Sequence, residues 1–366
     1  MRKKFRVAVL FGGKSAEHEI SLLSAKNIVE AIDKKKYQVV LIGIDKKGRW
    51  YLNEDQQLLR RAETPKPIRF DRESNALALV PGNRAKQWIR LSGRRAQRPA
   101  DVVFPVLHGP FGEDGTVQGL LKLANVPFVG AGVLGSAVGM DKDVMKRLLR
   151  DAGIRTARFL VLHRSDRNRM DFATIERELA VPFFIKPANL GSSVGIHKVK
   201  NEREFAPAVK DAFHFDHKVL IEEYVQGREI ECSVLGNDDP IASVPGEIIT
   251  RHEFYSYEAK YLDESGAVLE VPAKLSANIT KEIQQIAIKT FKSLCCEGMA
   301  RVDFFLRDNN EVIVNEINTI PGFTKISMYP KLWEASGISY TELIDRLIQL
   351  ALERFRAEQK LTHSRL

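Results

Sequence analysis

The chain has 366 residues, 44% of them hydrophobic and 28% charged, which exceeds one ordinary domain and points to two or three. Its net charge of +9 raises nucleic acid as a partner, but no recognised nucleic-acid-binding motif surrounds the basic residues. No apolar run approaches the roughly 20 residues that cross a bilayer, and the three cysteines, Cys232, Cys295 and Cys296, lack zinc-ligand spacing, so they read as reduced thiols of a cytoplasmic protein with no membrane partner.

Phe5 to Phe11 reads as a buried strand. Its apolar run is too short for the core of a signal peptide, which needs about 7–15 residues. Gly12-Gly13-Lys14-Ser15 follows as a turn, with Ser15 as the expected N-cap of a helix that carries Leu22, Ala25, Val29 and Ile32 on one stripe. Tyr37 to Ile44 and Val102 to Leu107 read as further strands, and strand–helix–strand in that order predicts a parallel α/β domain over residues 1–125. Between them, Arg84, Lys86, Arg90, Arg94, Arg95 and Arg98 form a basic run read as solvated loop, where only Trp88 could offer a base a stacking face.

A second segment, residues 126–220, carries a predicted helix from Lys142 to Ala152, ended by Gly153. It also carries a strand at Phe183–Lys186 that runs into Pro-Ala-Asn-Leu-Gly-Ser-Ser-Val-Gly195. Gly191 and Gly195 permit backbone turns that direct N–H groups inward as a phosphate nest, Ser192 and Ser193 add hydroxyl donors, and Lys142 and Lys186 supply cations. The loop is not a Walker A sequence, and taken alone it also fits a flexible turn. Glu222-Glu223-Tyr224-Val225 follows a strand-like run and offers a hinge to an adenine edge, with Glu229 within reach of a ribose; solvated acids near a turn are the plain alternative.

The third segment, residues 221–366, contains the most informative stretch, Arg301 to Asn318. Two strand-like runs flank Asn309-Asn310, read as a two-residue hairpin turn. That register sets Asp303 opposite Glu316 and Arg301 opposite Asn318, all on one face. Facing carboxylates repel unless a cation lies between them, and an oxygen-only donor set suits Mg²⁺ or Mn²⁺ rather than zinc. A solvated face with Arg301 as counter-charge remains the alternative for the hairpin by itself. A terminal helix opens on the capping-box pattern Ser339-Tyr-Thr-Glu342.

Five stretches in this order resemble the ATP-grasp superfamily and, within it, the D-alanine–D-alanine ligase family. They are Gly12 to Ser21, His108-Gly-Pro-Phe-Gly-Glu-Asp-Gly115, Lys186 to Gly195, Tyr257-Glu-Ala-Lys-Tyr261, and Asn315-Glu-Ile-Asn-Thr-Ile-Pro-Gly-Phe-Thr324. The resemblance implies an α/β and α+β fold of three-domain ATP-grasp architecture, with an N-terminal parallel α/β (pre-ATP-grasp) domain followed by central and C-terminal ATP-grasp subdomains. It implies ATP-dependent joining of two D-alanine molecules through a D-alanyl phosphate, in the cytoplasm, for peptidoglycan precursors. The implied partners are D-alanine, ATP and two Mg²⁺ or Mn²⁺ ions, with no nucleic acid, and the assembly a homodimer.

By the same resemblance Lys142, Lys186 and Lys260 contact phosphates, while Ser193, Glu222, Glu223, Tyr224, Val225, Glu229 and Asn315 complete the ATP site. Asp303, Glu316 and Asn318 hold the metal ions. Glu17 receives the first D-alanine's ammonium near His108, Arg301 and the Gly322 amide form an oxyanion site, and Ser327 with Met328 receives the second D-alanine. Tyr261, Ser192 and Glu17 form a hydrogen-bonded chain closing a loop over the site. A ligase making D-alanyl-D-lactate is the nearest alternative, and members of that branch lack the tyrosine found here at Tyr261. An ATP-grasp ligase for other acids, and a basic nucleic-acid-binding protein, are the further alternatives.

Overall fold

The structure, a computed structural model, describes residues 4–53, 59, 75–82, 87–92, 98–166, 171–250 and 267–361. Three sheets follow one another along the chain. The first contains β1 (Phe5–Gly12), β2 (Tyr37–Ile44), β3 (Trp50–Asn53), β4 (Ala76–Leu79), β5 (Trp88–Arg90) and β6 (Val102–Val106), in the order β5-β4-β3-β2-β1-β6. The second contains β7 (Phe159–His163), β8 (Phe183–Pro187), β9 (His197–Val199) and β10 (Lys218–Glu223), in the order β7-β10-β8-β9. The third contains β11 (Arg228–Gly236), β12 (Ile241–Ala242), β13 (Gly246–Thr250), β14 (Ala267–Glu270), β15 (Gly298–Leu306) and β16 (Val312–Asn318), in the order β14-β13-β11-β15-β16, with β12 on β11.

The first sheet has the expected parallel centre, β2-β1-β6, and the antiparallel strands β3, β4 and β5 extend it. Part of the basic run is therefore strand rather than solvated loop. Trp88 is buried against Trp50, their ring centroids 6.0 Å apart, so it offers no face to a base. Arg84, Lys86, Arg94 and Arg95 lie outside the described residues. At the end of β1 the chain turns through Gly12 at φ +93, where a Cβ would meet the Ile44 carbonyl at 2.2 Å, so only glycine fits.

Helix α1 (His18–Ala31) buries the predicted stripe of Leu22, Ala25 and Val29, continued by Ile32, against this sheet. Its N-cap is Glu17 rather than Ser15. The Ser15 hydroxyl instead donates to the His108 carbonyl at 2.6 Å and accepts from the Glu17 amide. Helices α2 (Thr116–Leu123), α3 (Val133–Met140) and α4 (Lys142–Asp151) follow. Although α4 lies between the first two sheets in sequence, its Met145 and Leu149 pack onto the third sheet.

Helices α5 (Phe172–Leu179) and α6 (Glu202–Phe215) cover the second sheet, whose core includes Ile175, Phe183, Ile185 and Ala212. That sheet continues to Glu223, past the expected division at 220, because β10 lies between β7 and β8. Helix α7 (Ala277–Ser293) packs Ile283, Ala287 and Phe291 on the third sheet, and α8 (Met328–Ala335) follows the hairpin strands. The last helix, α9 (Tyr340–Glu358), is capped by Ser339, whose hydroxyl accepts from the Glu342 amide at 3.3 Å. Its helical-period residues Leu343, Ile344, Leu347 and Ile348 return to the core formed by Val7, Val9 and Phe104. Among the described residues no helix is long and apolar enough to cross a membrane.

Candidate active site

The hairpin β15–β16 sets the site. Arg301 pairs with Asn318 and Asp303 with Glu316, as the sequence predicts, but the turn is not the expected two residues. Arg307 and Glu311 close a three-residue loop, in which Asn310 takes a left-handed conformation at φ 64. The pairs next to the turn are consequently Leu306 with Val312 and Phe304 with Val314, one residue out of the expected register. A bulge at Asn315 inserts one extra residue in β16 and restores the register at the acids. The face carrying Arg301, Asp303 and Glu316 is only half-buried, whereas Val302, Phe304 and Ile317 turn into the core.

Arg301 forks onto Asp303 with Nε and Nη2 at 2.7 and 2.8 Å, and Nε lies 2.8 Å from Glu231. Burial opposes its charge, but Asp303 and then Glu231 more than compensate and hold the guanidinium well above its ordinary range. Asn318 donates Nδ2 to Asp303 at 2.9 Å. Glu231, on β11, stands directly opposite Asp303 on β15. It was not singled out from sequence, although Glu229-Ile230-Glu231-Cys232-Ser233 alternates polar and apolar with the period of a half-buried strand.

Helix α4 brings Lys142 to this face. Asp141 caps the helix by accepting from the amides of Asp143 and Val144, and the Lys142 ammonium lies 3.3 Å from Glu316 and donates to the Leu190 carbonyl at 2.8 Å. One turn on, Lys146 is fully buried, 2.5 Å from Glu222 and 3.1 Å from the Asn315 carbonyl. Lys186 on β8 contacts the other oxygen of Glu222. Burial would raise the Glu222 carboxyl, but the two ammonium groups outweigh it and hold it below its ordinary range. Both oxygens of this expected adenine neighbour are therefore taken up by lysines. Lys146 was missed from sequence, although Lys142, Met145, Lys146 and Leu149 fall at helical spacing on the buried face.

The loop after β8 departs from expectation in detail. Gly195 is left-handed at φ +69, where a Cβ would meet the Phe215 ring at 2.6 Å. The other left-handed positions are not Gly191 but Ser192 and Ser193, at φ 54 and 59. Non-glycine residues are held there at a cost of about 1–2 kcal/mol each, a form of strain that clusters at ligand clamps. The Ser192 hydroxyl donates to the Glu17 carboxylate, joining this loop to the turn before α1.

Around Glu17 the first segment is tightly built. A Cβ on Gly109 would come within 2.9 Å of the Glu17 carboxylate. His108 Nδ1 is 3.1 Å from the Ile320 carbonyl and Nε2 is 3.3 Å from the Ser24 hydroxyl. Burial pushes its pKa down, so the imidazole is neutral, donates through Nδ1 and accepts at Nε2. Glu113 accepts from the Gly109 amide at 2.6 Å. Burial, followed by the charge of Glu17, pushes its carboxyl up to about 8. Glu113 lies within the His108–Gly115 motif but was not assigned a role from sequence.

Gly322 and Ser327 are adjacent, since a Cβ on Gly322 would stand 2.7 Å from Ser327 Oγ. Ser327 Oγ accepts from the Thr324 amide at 2.9 Å. Met328 opens α8 with its side chain buried against Ile248 and Leu332, which leaves its backbone rather than its thioether for a substrate. At the hinge, Glu223 turns to Arg158, with Nε at 2.7 Å. Tyr224 is exposed, with Lys198 Nζ 4.3 Å from its ring centroid. Val225 is buried with Ala157 and Ile313, and Glu229 is half-buried on β11. Lys260 and Tyr261 lie outside the described residues.

Among the described residues no three His, Cys, Asp or Glu side chains come together as a metal cluster. The hairpin set is two facing carboxylates and an amide, bordered by Arg301 and Lys142. Its chemistry fits Mg²⁺ or Mn²⁺, which take hard oxygen ligands and complete their shells with water and substrate phosphates. It does not fit zinc.

The sequence matches the family profile described as D-ala D-ala ligase N-terminus over residues 6–131 and that described as D-ala D-ala ligase C-terminus over residues 148–349. The chain belongs to the D-alanine–D-alanine ligase family. It is 56% identical over 365 residues to the D-alanine–D-alanine ligase of Oceanobacillus iheyensis, covering 100% of this chain and 99% of that one. Identity to D-alanine–D-alanine ligase A of Escherichia coli strain K12 is 54% over 359 residues, covering 98% and 99%. The solved D-alanine–D-alanine ligase from Coxiella burnetii superposes with a TM-score of 0.86 at 46% identity, covering 98% of this chain and 96% of that chain.

Proposed function

We propose that this protein joins two D-alanine molecules into D-alanyl-D-alanine, converting ATP to ADP and phosphate, in the cytoplasmic supply of peptidoglycan precursors. The observation that carries the reading is the hairpin face, where Asp303, Glu316 and Asn318 stand together within reach of Lys142. Family membership supplies the substrate class. In this reading Glu17 takes the first D-alanine's ammonium, beside the neutral His108. The carboxylate of that D-alanine attacks the γ-phosphorus of ATP, the bond to the β–γ bridging oxygen breaks, and ADP leaves a D-alanyl phosphate.

Two anions must meet in that step. Lys142, Lys186 and the amides of the Gly/Ser loop reduce their repulsion and align them. Asp303, Glu316 and Asn318 would hold Mg²⁺ or Mn²⁺, which would further neutralise the phosphate oxygens. The second D-alanine, its carboxylate at Ser327 and the Met328 backbone, loses a proton and attacks the acyl carbon, and phosphate departs. Arg301 and the Gly322 amide stabilise the oxyanion, where loss of one donor costs about 10²–10³ in rate. Tyr261, through Ser192 and Glu17, closes the site against water, and Lys260 joins the phosphate contacts. A homodimer is part of the same reading, supported by the resemblance.

The test is incubation of the purified chain with D-alanine, ATP and Mg²⁺, scored for dipeptide, ADP and phosphate. Equal amounts of all three are expected. D-lactate offered alongside D-alanine near neutral pH should not enter the product, and an ester product would favour the D-alanyl-D-lactate reading instead.

A further inference from the structure

The bulge in β16 decides which way the acids point. From Leu306–Val312 to Phe304–Val314 the ladder runs in one register. Continued unchanged, it would set Asp303 opposite Asn315 and Val302 opposite Glu316, turning Glu316 into the buried face. A one-residue slip reverses every side chain on a strand, so the extra residue Asn315 is what brings Glu316 and Asn318 round to Asp303. Its carbonyl accepts a hydrogen bond from Lys146 Nζ at 3.1 Å. Lys146 is wholly shielded from solvent, and its other partner, Glu222, is shared with Lys186. An ammonium is costly to bury unless its hydrogen bonds are met, and here it spans the hinge end of the nucleotide site and the irregularity that orients the hairpin acids.

We propose that Lys146 is a positioning residue for the reaction: by holding the Asn315 carbonyl it pins the bulge, and so the register in which Asp303, Glu316 and Asn318 share one face. It touches no substrate itself and is assigned no place among the ATP contacts. The inference rests on the reading of those three residues as the metal set.

The test measures Mn²⁺ binding to the full-length protein with ADP present, from the loss of the free-Mn²⁺ electron paramagnetic resonance signal, with circular dichroism melts to verify folding. Lys146→Met should weaken Mn²⁺ binding by about 10–100-fold, the range for residues that orient metal ligands, while the KM for D-alanine at saturating Mn²⁺ stays within about twofold. A purely electrostatic role predicts the opposite sign, because removing a nearby positive charge favours a bound cation. Unchanged or tighter Mn²⁺ binding in folded Lys146→Met therefore overturns the proposal.

Lys146→Gln keeps a donor for the carbonyl and should hold Mn²⁺ affinity within about threefold of wild type. It carries the test if the methionine variant does not fold, and a loss as large as that of Asp303→Asn overturns the idea. Asp303→Asn with intact Mn²⁺ binding would sink the metal reading itself, whereas its loss together with normal binding in Lys146→Met sinks only the role of Lys146.

Discussion

Replacing Asp303 with asparagine changes one oxygen to an amide and removes one charge at the centre of the hairpin face. Arg301 now donates to both carboxylate oxygens, at 2.7 and 2.8 Å, and Asn318 donates to one of them at 2.9 Å. An amide has a single oxygen, so its nitrogen must face a donor. Breaking a buried ion pair typically costs about 3–5 kcal/mol. Here Glu231 stays 2.8 Å from Arg301 Nε, so the guanidinium keeps a counter-charge, and one oxygen acceptor survives. The expected loss of stability is therefore nearer 1–2 kcal/mol, about that of one unsatisfied buried polar group. The variant should remain folded, yet lose turnover at ordinary magnesium concentrations. Urea titration followed by circular dichroism measures the first quantity, and ADP release coupled to NADH oxidation the second. Wild-type turnover in the folded variant would refute the metal assignment, and a stability loss above about 4 kcal/mol would refute the compensating role of Glu231.

Other outcomes are expected on separate grounds. The folded-state pKa of Glu113 is raised from 4.5 to about 8, so the folded state binds the extra proton. Its contribution is full below the unfolded value and is lost as pH rises through about 8; Glu113→Gln should flatten the fall in stability across that window, seen as melting temperature against pH. His108 has its pKa lowered by burial, so its protonation opposes folding in acid, and His108→Gln should lessen the loss of stability as pH drops below the ordinary histidine range. Asn310→Val places a β-branched residue at φ 64 and should cost about 1–2 kcal/mol, while Asn310→Gly, which accepts that conformation, costs less; equal effects in denaturant titrations would contradict the left-handed position in the turn. Under the closing role proposed for Tyr261, Tyr261→Phe should release ADP in excess of dipeptide, and one-to-one products would contradict that role.

Much of the site was legible because the signals are local. The strand Phe5–Gly12, the helix starting at Lys142 and the hairpin acids follow from apolar periodicity, a helix-ending glycine and alternating faces. The hairpin pairing succeeded through two errors that cancel. The turn has three residues rather than two, and the bulge at Asn315 returns the missing step. A bulge carries no strong residue signature, so it could not be foreseen. The expected N-cap at Ser15 failed because the hydroxyl is committed to the His108 carbonyl, 93 positions away. The basic run reads as loop because its charges mask a short edge strand, Trp88–Arg90, whose Trp88 enters the core.

What the sequence determined by itself was chemistry in short range: which residues carry oxygen ligands, cations and flexible amides, and which face of each element they occupy. Only the tertiary structure decided which of those groups meet. It placed α4 on the third sheet, which brings Lys142 to Glu316 and buries Lys146 between Glu222 and Asn315. It also set Ser192 against Glu17 and returned the last helix to the first sheet. The physical reason is that periodicity defines the apolar stripe an element must bury but not the partner that buries it; that choice depends on how all the surfaces of the chain pack at once.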